Sequence, residues 1–189
     1  VVINNPFLTK SEFAQHLADG FSLGEEAAAS KTRFLSELTR KLEEIAQSGG
    51  QTALIVDEAQ TLSYDLLEEV RLLANIETDE EKLLPVVLAG QPELGERLNE
   101  PSLRQLKQRV ALRCSLGRLQ TRETVAYVAG RIRVAGGEAE LFTTEAVELI
   151  HVASGGVPRI ISAICDNALI IGFAADERRV SCNTVLQAC

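Results

Sequence analysis

Hydrophobic positions follow two different rhythms along the chain. In "SKTRFLSELTRKLEEIAQSGG", Phe34, Leu35, Leu38, Leu42 and Ile45 recur three or four residues apart, which places them on one face of a helix of about 17 residues ending at Gly49-Gly50. "TKSEFAQHLADG" carries the same period behind a capping box of Thr9 and Glu12 and stops at Gly20. Ser63 can cap a third helix whose buried side is Leu66, Leu67, Val70, Leu73 and Ala74. By contrast, "TALIVD" and "LLPVVLAG" are apolar without alternation, as expected of parallel strands covered on both faces, with Pro85 near the start of the second where a missing N–H is tolerated. "VVIN" reads as a short strand, a short helix runs through Leu103 and Leu106, and "VALRCSL" reads as a last strand. The alternation predicts an α/β layer fold, a parallel sheet flanked by helices.

Beyond Leu119 the strand signals cease. "TRETVAYVAGRIRVAG", "TTEAVELIHVASGG" and "VPRIISAICDNALIIGFAAD" are three successive helical segments with Thr caps and Gly stops, and the last ten residues can start a fourth. The domain boundary is therefore expected near Leu119 to Gln120, dividing an α/β part, 1–119, from a small all-α part, 120–189. No repeat, long linker or low-complexity tract interrupts either part.

At 189 residues and 46% hydrophobic content, the chain can bury a substantial core as one domain or as one domain plus a small appendage. Its apolar stretches fall far short of the roughly 20 residues that cross a bilayer, so no membrane contact is expected from this segment. Cys114, Cys165, Cys182 and Cys189 form no CxxC pair, and four reduced, mostly buried thiols are expected in place of a metal site or a disulfide framework. The chain opens at Val1, contains no Met and carries no signal-like leader, and the expectation is that its natural start lies upstream. Net charge is −8, which argues against a generic polyanion binder, but the charges segregate. Glu12 to Glu100 holds 19 acidic and 7 basic residues, whereas Arg104 to Arg133 holds 8 basic and 1 acidic. A solvated surface, self-assembly of acidic on basic faces, and nucleic-acid contact along the basic stretch are all compatible with that pattern.

The candidate chemistry sits where strands end. A parallel strand entering at Thr52 delivers Asp57 and Glu58 at its carboxyl end, where open α/β sheets place their ligands. Asp57 suits Mg²⁺, directly or through water, and Glu58 suits a water that attacks a phosphoryl group; capping of the following helix is the plainer alternative. "VVLAGQPEL" ends another strand in Gln91, a neutral polar side chain at the same sheet edge or simply a turn residue before Pro92. In "LRQLKQRVAL", Arg104 and Arg109 flank a short helix, from which an Arg can reach a neighbouring subunit and stabilise transition-state charge. In "SGGVPRII", Arg159 falls in the first turn of a helix, against the dipole, which suggests a partner for it.

This combination resembles the AAA+ ATPases, most closely those of the general secretion pathway protein A type, with relatives in pilus biogenesis and in transposition regulation. "LIVDEAQTL" looks like the family's Walker B, "EEVRLLANIETDEEKLLPVVLAGQPEL" like its helix-to-sensor-1 segment, "LRQLKQRV" like its arginine-finger region and "LFTTEAVELIHVASGGVPRII" like its sensor-2 lid. The resemblance implies Asp57 for Mg²⁺, Glu58 for the lytic water, Gln91 as sensor 1, Arg109 as the finger with Arg104 second, and Arg159 contacting nucleotide phosphates from the lid. It departs in one place: the phosphate loop G-x-x-x-x-G-K-[ST] is missing. "GEEAAASKT", from Gly24 to Thr32, has the wrong spacing, lacks the second Gly and follows no strand, so it reads as a decoy. The family's loop and first strand come just before a segment like "VVINNPFLT", so both are expected upstream of Val1.

The resulting expectation is an ATP-binding and ATP-hydrolysing domain of a bacterial secretion or pilus-assembly protein, working with ATP and Mg²⁺ as a homo-oligomer on the cytoplasmic side, with this segment alone inactive for want of the phosphate loop. A DNA-dependent ATPase of the transposition-regulator kind and a non-catalytic module of the same fold are the alternatives. His16 and His151 have no companions that would make a metal site or triad, and six Phe and two Tyr are too scattered for a base-stacking platform.

Overall fold

The computed structural model describes residues 1–4, 8–24, 26–78, 81–138 and 140–189. Asn5 to Phe7 of "VVINNPFLT", Glu25 of "GEEAAASKT" and Asp79-Glu80 of the helix-to-sensor segment lie outside the described residues. The chain forms two compact units, Val1–Arg113 and Cys114–Cys189.

In the first unit, β1 (Val2–Ile3), α1 (Lys10–Gly20), α2 (Lys31–Gln47), β2 (Leu54–Val56), α3 (Tyr64–Leu73), β3 (Val86–Leu88), α4 (Pro92–Arg97) and α5 (Arg104–Arg109) follow in that order. The helix starts are set by side chains that satisfy otherwise orphaned backbone donors. Thr9 Oγ1 accepts from the Glu12 N–H at 3.3 Å, and the Thr9 N–H donates to Glu12 Oε2 at 2.7 Å, closing the capping box. The Thr9 hydroxyl and N–H together hold the Glu12 carboxyl below its usual range. Ser30 caps α2 through the Arg33 N–H and Ser63 caps α3 through the Leu66 N–H, both at 3.2 Å.

The strands form a three-stranded parallel sheet in the order β1-β2-β3, with Val2 opposite Ile55, Ile3 opposite Val56, and Leu54, Ile55 and Val56 opposite Val86, Val87 and Leu88. Side chains alternate across it. Ile3, Leu54 and Val56 are fully buried and share one core with Phe13 and Leu17 of α1, Leu38 and Leu42 of α2, and Leu66 and Leu67 of α3. Each such side chain contributes about 1.5–3 kcal/mol by leaving water. The other face departs from the expectation of strands covered on both sides. Val2, Ile55 and Val87, in one row across the three strands, are 49%, 37% and 50% exposed among the described residues.

A second departure concerns "VALRCSL". Residues 110–116 form no strand; Leu112 and Leu116 are almost fully exposed and no described residue pairs with them. A run of apolar residues becomes a strand only when a neighbouring strand satisfies its backbone, and no described strand pairs with this one.

In the second unit, α6 (Thr121–Val134), α7 (Thr144–Ser154), α8 (Pro158–Ala174) and α9 (Cys182–Ala188) enclose a core of Val128, Ile132, Phe142, Ile150, Ile161 and Ile164 with smaller residues between them. α7 ends on Gly155 and Gly156, at φ 57° and 74°. A Cβ on Gly156 would sit 2.2 Å from the Leu119 carbonyl oxygen, and the Leu119 N–H donates to the Gly156 carbonyl at 2.9 Å, so only glycine allows this approach. The half-buried His151 shares a 2.9 Å hydrogen bond through Nδ1 with the buried Thr124 hydroxyl, while the exposed His16 contacts the Val2 carbonyl at 3.2 Å.

The cysteines correct the expectation of mostly buried thiols: Cys114 and Cys189 are exposed and Cys165 and Cys182 half-buried, all four free. Cys114 lies in the irregular segment and Cys189 just past α9, and neither packs under a face of the described residues. Burial, aided by Asp166, pushes the Cys165 thiol up to about 11. At pH 8 its thiolate fraction is then about one in a thousand, so iodoacetamide is expected to label Cys114 and Cys189 well before Cys165, which peptide mapping would read out. Leu38→Ala removes a fully buried side chain and should lower stability by about 2–5 kcal/mol in urea titration.

Candidate active site

The parallel ladder carries its pattern one residue past β2: the Asp57 N–H donates to the Ile3 carbonyl at 2.9 Å. Continuing the alternation, Asp57 has the parity of Ile55 and belongs to the open face of the sheet. Two further 2.9 Å bonds, from the Ala59 N–H to the Ala89 carbonyl and from the Ala89 N–H to the Val56 carbonyl, tie the exit of β2 to the exit of β3. Asp57, Glu58 and Gln91 therefore arrive on one rim, at the carboxyl ends of the strands, and all three are exposed.

Glu58 occupies the left-handed region, at φ 50° and ψ 35°. This costs a residue with a Cβ about 1–3 kcal/mol and persists only where the surroundings impose it. Here they do. Its N–H donates to Asp57 Oδ1 at 2.9 Å, and its carbonyl accepts from the Thr61 N–H at 2.9 Å and hydroxyl at 2.8 Å, closing the 3₁₀ turn Ala59–Thr61.

Gln60 lies inside that turn. Its Nε2 donates to Glu58 Oε2 at 2.5 Å, and its Oε1 accepts from the Gln91 N–H at 3.2 Å. Gly90 leaves room for this amide, since a Cβ there would lie 2.5 Å from Gln60 Oε1. From below, Arg97 of α4 donates through Nη1 to the carbonyls of Gln60 and Leu62, the latter at 2.9 Å, and its guanidinium stands 5.1 Å from the centroid of the Tyr64 ring. The Tyr64 hydroxyl donates to Glu100, and that bond pushes the phenol up from its usual range. Gln91 is the N-cap residue of α4, with Pro92 at the first helical position, and its side chain makes no capping bond.

Arg104 and Arg109 begin and end α5; both are exposed and neither guanidinium has an ion-pair partner among the described residues. Arg159, in the second unit, lies in the first turn of α8 behind Pro158, exposed and likewise without an ion pair among the described residues. The stretch Gly24–Thr32 makes no phosphate cradle among its described residues. It follows a turn after α1, the Gly24 N–H donates to Glu37 Oε2 at 3.3 Å, and Ser30 caps α2.

No cluster of three or more His, Cys, Asp or Glu side chains gathers among the described residues. The exposed Asp57 carboxylate at the rim nevertheless fits Mg²⁺, which takes one or two carboxylates and keeps water or phosphate oxygens for its other positions. The same rim offers no nest of backbone N–H groups for phosphates among the described residues, so these residues fit the metal and not the whole of a nucleotide.

A family model described as "AAA domain" matches residues 1–98. The chain belongs to that family. General secretion pathway protein A of Aeromonas hydrophila is 42% identical over 178 residues, which are 94% of this chain and 32% of that protein. The chain thus spans about a third of that relative's length. The ORC2 protein of Aeropyrum pernix, in its ADPNP-ADP complexes, superposes with a TM-score of 0.71 at 15% identity, over all of this chain and 50% of that one. The RuvB Holliday junction branch migration motor of Thermotoga maritima gives 0.54 at 16% identity, over 99% and 59%. At these identities the likeness establishes the AAA+ fold alone. The rim residues Gln60, Gly90 and Arg97 were not singled out from the sequence; the signal for Gln60 was its place in the same "DEAQ" string, whereas nothing in the spacing marks Arg97.

If the left-handed backbone at 58 is imposed and not intrinsic, Glu58→Gly should be more stable than Glu58→Ala by about 1 kcal/mol, a difference that paired thermal melts of the two variants would resolve.

Proposed function

We propose that this AAA domain is the metal-holding, water-activating and lid part of an ATP-hydrolysing domain in a bacterial secretion or pilus-assembly protein. The observation that carries this reading is the shared rim: Asp57, Glu58 and Gln91 emerge from adjacent parallel strands whose exits are hydrogen-bonded to each other. When bound, Mg²⁺ would neutralise phosphate charge and orient the terminal phosphoryl group for in-line attack. The Asp57 carboxylate would hold the metal, directly or through water. Glu58 would accept a proton from the attacking water, its direction fixed by the constrained backbone. The Gln91 side chain, uncommitted to capping, would touch the terminal phosphate or its water. Arg109, or Arg104 in its place, would reach the site of a neighbouring copy, and the family resemblance gives Arg159 of the helical unit the role of contacting nucleotide phosphates.

A phosphate loop is needed that residues 1–189 do not contain. The open face and the edge of β3, unpaired among the described residues, support its arrival there. A strand laid along β3 and a helix laid over Val2, Ile55 and Val87 would cover the apolar row and bring a loop beside Asp57. The secretion assignment and a cytoplasmic location rest on the Aeromonas relative; no helix of the described residues is long and apolar enough to cross a membrane.

In the intact gene product, Glu58→Gln should lower ATP turnover about a hundredfold or more, while the 189-residue chain alone should bind ATP weakly and turn it over negligibly. Unchanged turnover in Glu58→Gln, or a gene product with no phosphate loop, would overturn the catalytic reading. Mixing Arg109→Ala with Glu58→Gln protein should recover part of the activity if the finger acts between subunits. A second reading, a DNA-dependent ATPase, draws on the exposed Arg104, Lys107, Arg109 and Arg113. It requires DNA affinity that falls steeply with salt, and filter binding from about 50 to 200 mM salt decides it.

A further inference from the structure

Between the two edge loops stands one side chain that the proposed chemistry does not yet use. Gln60 is half-buried in the turn after β2, and its carboxamide faces two ways, with Nε2 toward the Glu58 carboxylate and Oε1 toward the Gln91 N–H. A carboxamide can donate to a carboxylate from its nitrogen and accept from a peptide N–H at its oxygen at once. Arg97 pins the turn around it through the carbonyls of Gln60 and Leu62, and Gly90 keeps the space beside Oε1 empty of any Cβ. The amide thus joins the 3₁₀ turn to the exit of β3, while α4 holds the backbone of the turn through Arg97.

We infer that Gln60 is a positioning residue, which aims the Glu58 carboxylate at the attacking water and ties that aim to the loop carrying Gln91. This rests on the ATP-hydrolysing reading. By occupying Glu58 Oε2, the amide leaves Oε1 as the oxygen that takes the water's proton. Through Oε1 of its own, the same amide fixes how far the Glu58 carboxylate stands from the backbone at Gln91. Any shift of that loop when Gln91 meets a phosphate then moves Glu58, and a displacement of about 1 Å in such a group costs on the order of a hundredfold in rate.

Two isolated changes reach the amide from opposite sides. Gln60→Glu keeps the shape and the acceptor for the Gln91 N–H but removes the donor to Glu58. Gly90→Ala places a methyl 2.5 Å from Gln60 Oε1 and leaves Glu58 untouched. In the intact gene product each should lower kcat for ATP about tenfold to a hundredfold with KM for ATP within about twofold. Because both act through one amide, Gly90→Ala combined with Gln60→Ala should be no worse than the poorer single variant. An unchanged or raised kcat, a change confined to KM, or additive losses would overturn the inference. If Glu58→Gln itself left turnover intact, the hydrolytic reading would fall. If Glu58→Gln were inactive while the Gln60 variants ran normally, this inference alone would fall.

A second measurement needs no turnover. In the 189-residue chain, NMR resonances of the Gln60 side-chain NH₂ should shift on Glu58→Ala and stay put on Glu93→Gln, and the Gln91 amide proton should lose protection from exchange in Gln60→Ala. Side-chain resonances unmoved by Glu58→Ala would overturn the inference whatever the kinetics, and unchanged dispersion elsewhere in the spectrum reports that the variants fold.

Discussion

Everything at the rim depends on the parallel pairing of three short strands. In a parallel sheet, equivalent ends point the same way, so whatever follows β1, β2 and β3 is delivered to a single edge. Two peptide groups extend that logic beyond the strands: Asp57 still bonds to Ile3, and Ala59 bonds to Ala89. Without these, two acids and a glutamine separated by more than thirty residues of sequence would have no reason to meet. With them, the buried Leu54 and Val56 hold the strand below and the acids are left in water above.

The price of this arrangement is local strain. Glu58 is one of three described residues other than glycine with positive φ, and it is the one that carries the proposed general base. Its conformation is overdetermined by Asp57, Thr61 and Gln60, which bond to its N–H, its carbonyl and its carboxylate respectively. A carboxylate held by one partner on a backbone fixed by two others would lose little freedom in activating a water, which is the pre-organisation that the proposed chemistry needs.

Helices announced themselves in the sequence because their signals are local. The Thr9–Glu12 box, the Ser30 and Ser63 caps and the Phe34–Leu38–Leu42 stripe are each complete within a few residues, and α1, α2 and α3 formed where they pointed. The strands were legible too, but their surroundings were not. The same apolar run can face a core, a partner or water, and only the packing decides; Ile55 and Val87 turned out half-open, and residues 110–116 found no neighbour to pair with among the described residues. At the rim, Asp57, Glu58 and Gln91 could be read from strand ends. Gln60 and Arg97 act on backbone groups of distant residues, and hydrogen bonds of that kind leave no periodic trace.

The uncovered row of Val2, Ile55 and Val87 has a colloidal consequence. An exposed apolar row beside a strand edge that is unpaired among the described residues is the geometry by which β proteins template one another, and neither proline nor lysine occurs in β3 itself. At high concentration such a row favours association of one copy with another, against which the eight units of excess negative charge act by mutual repulsion.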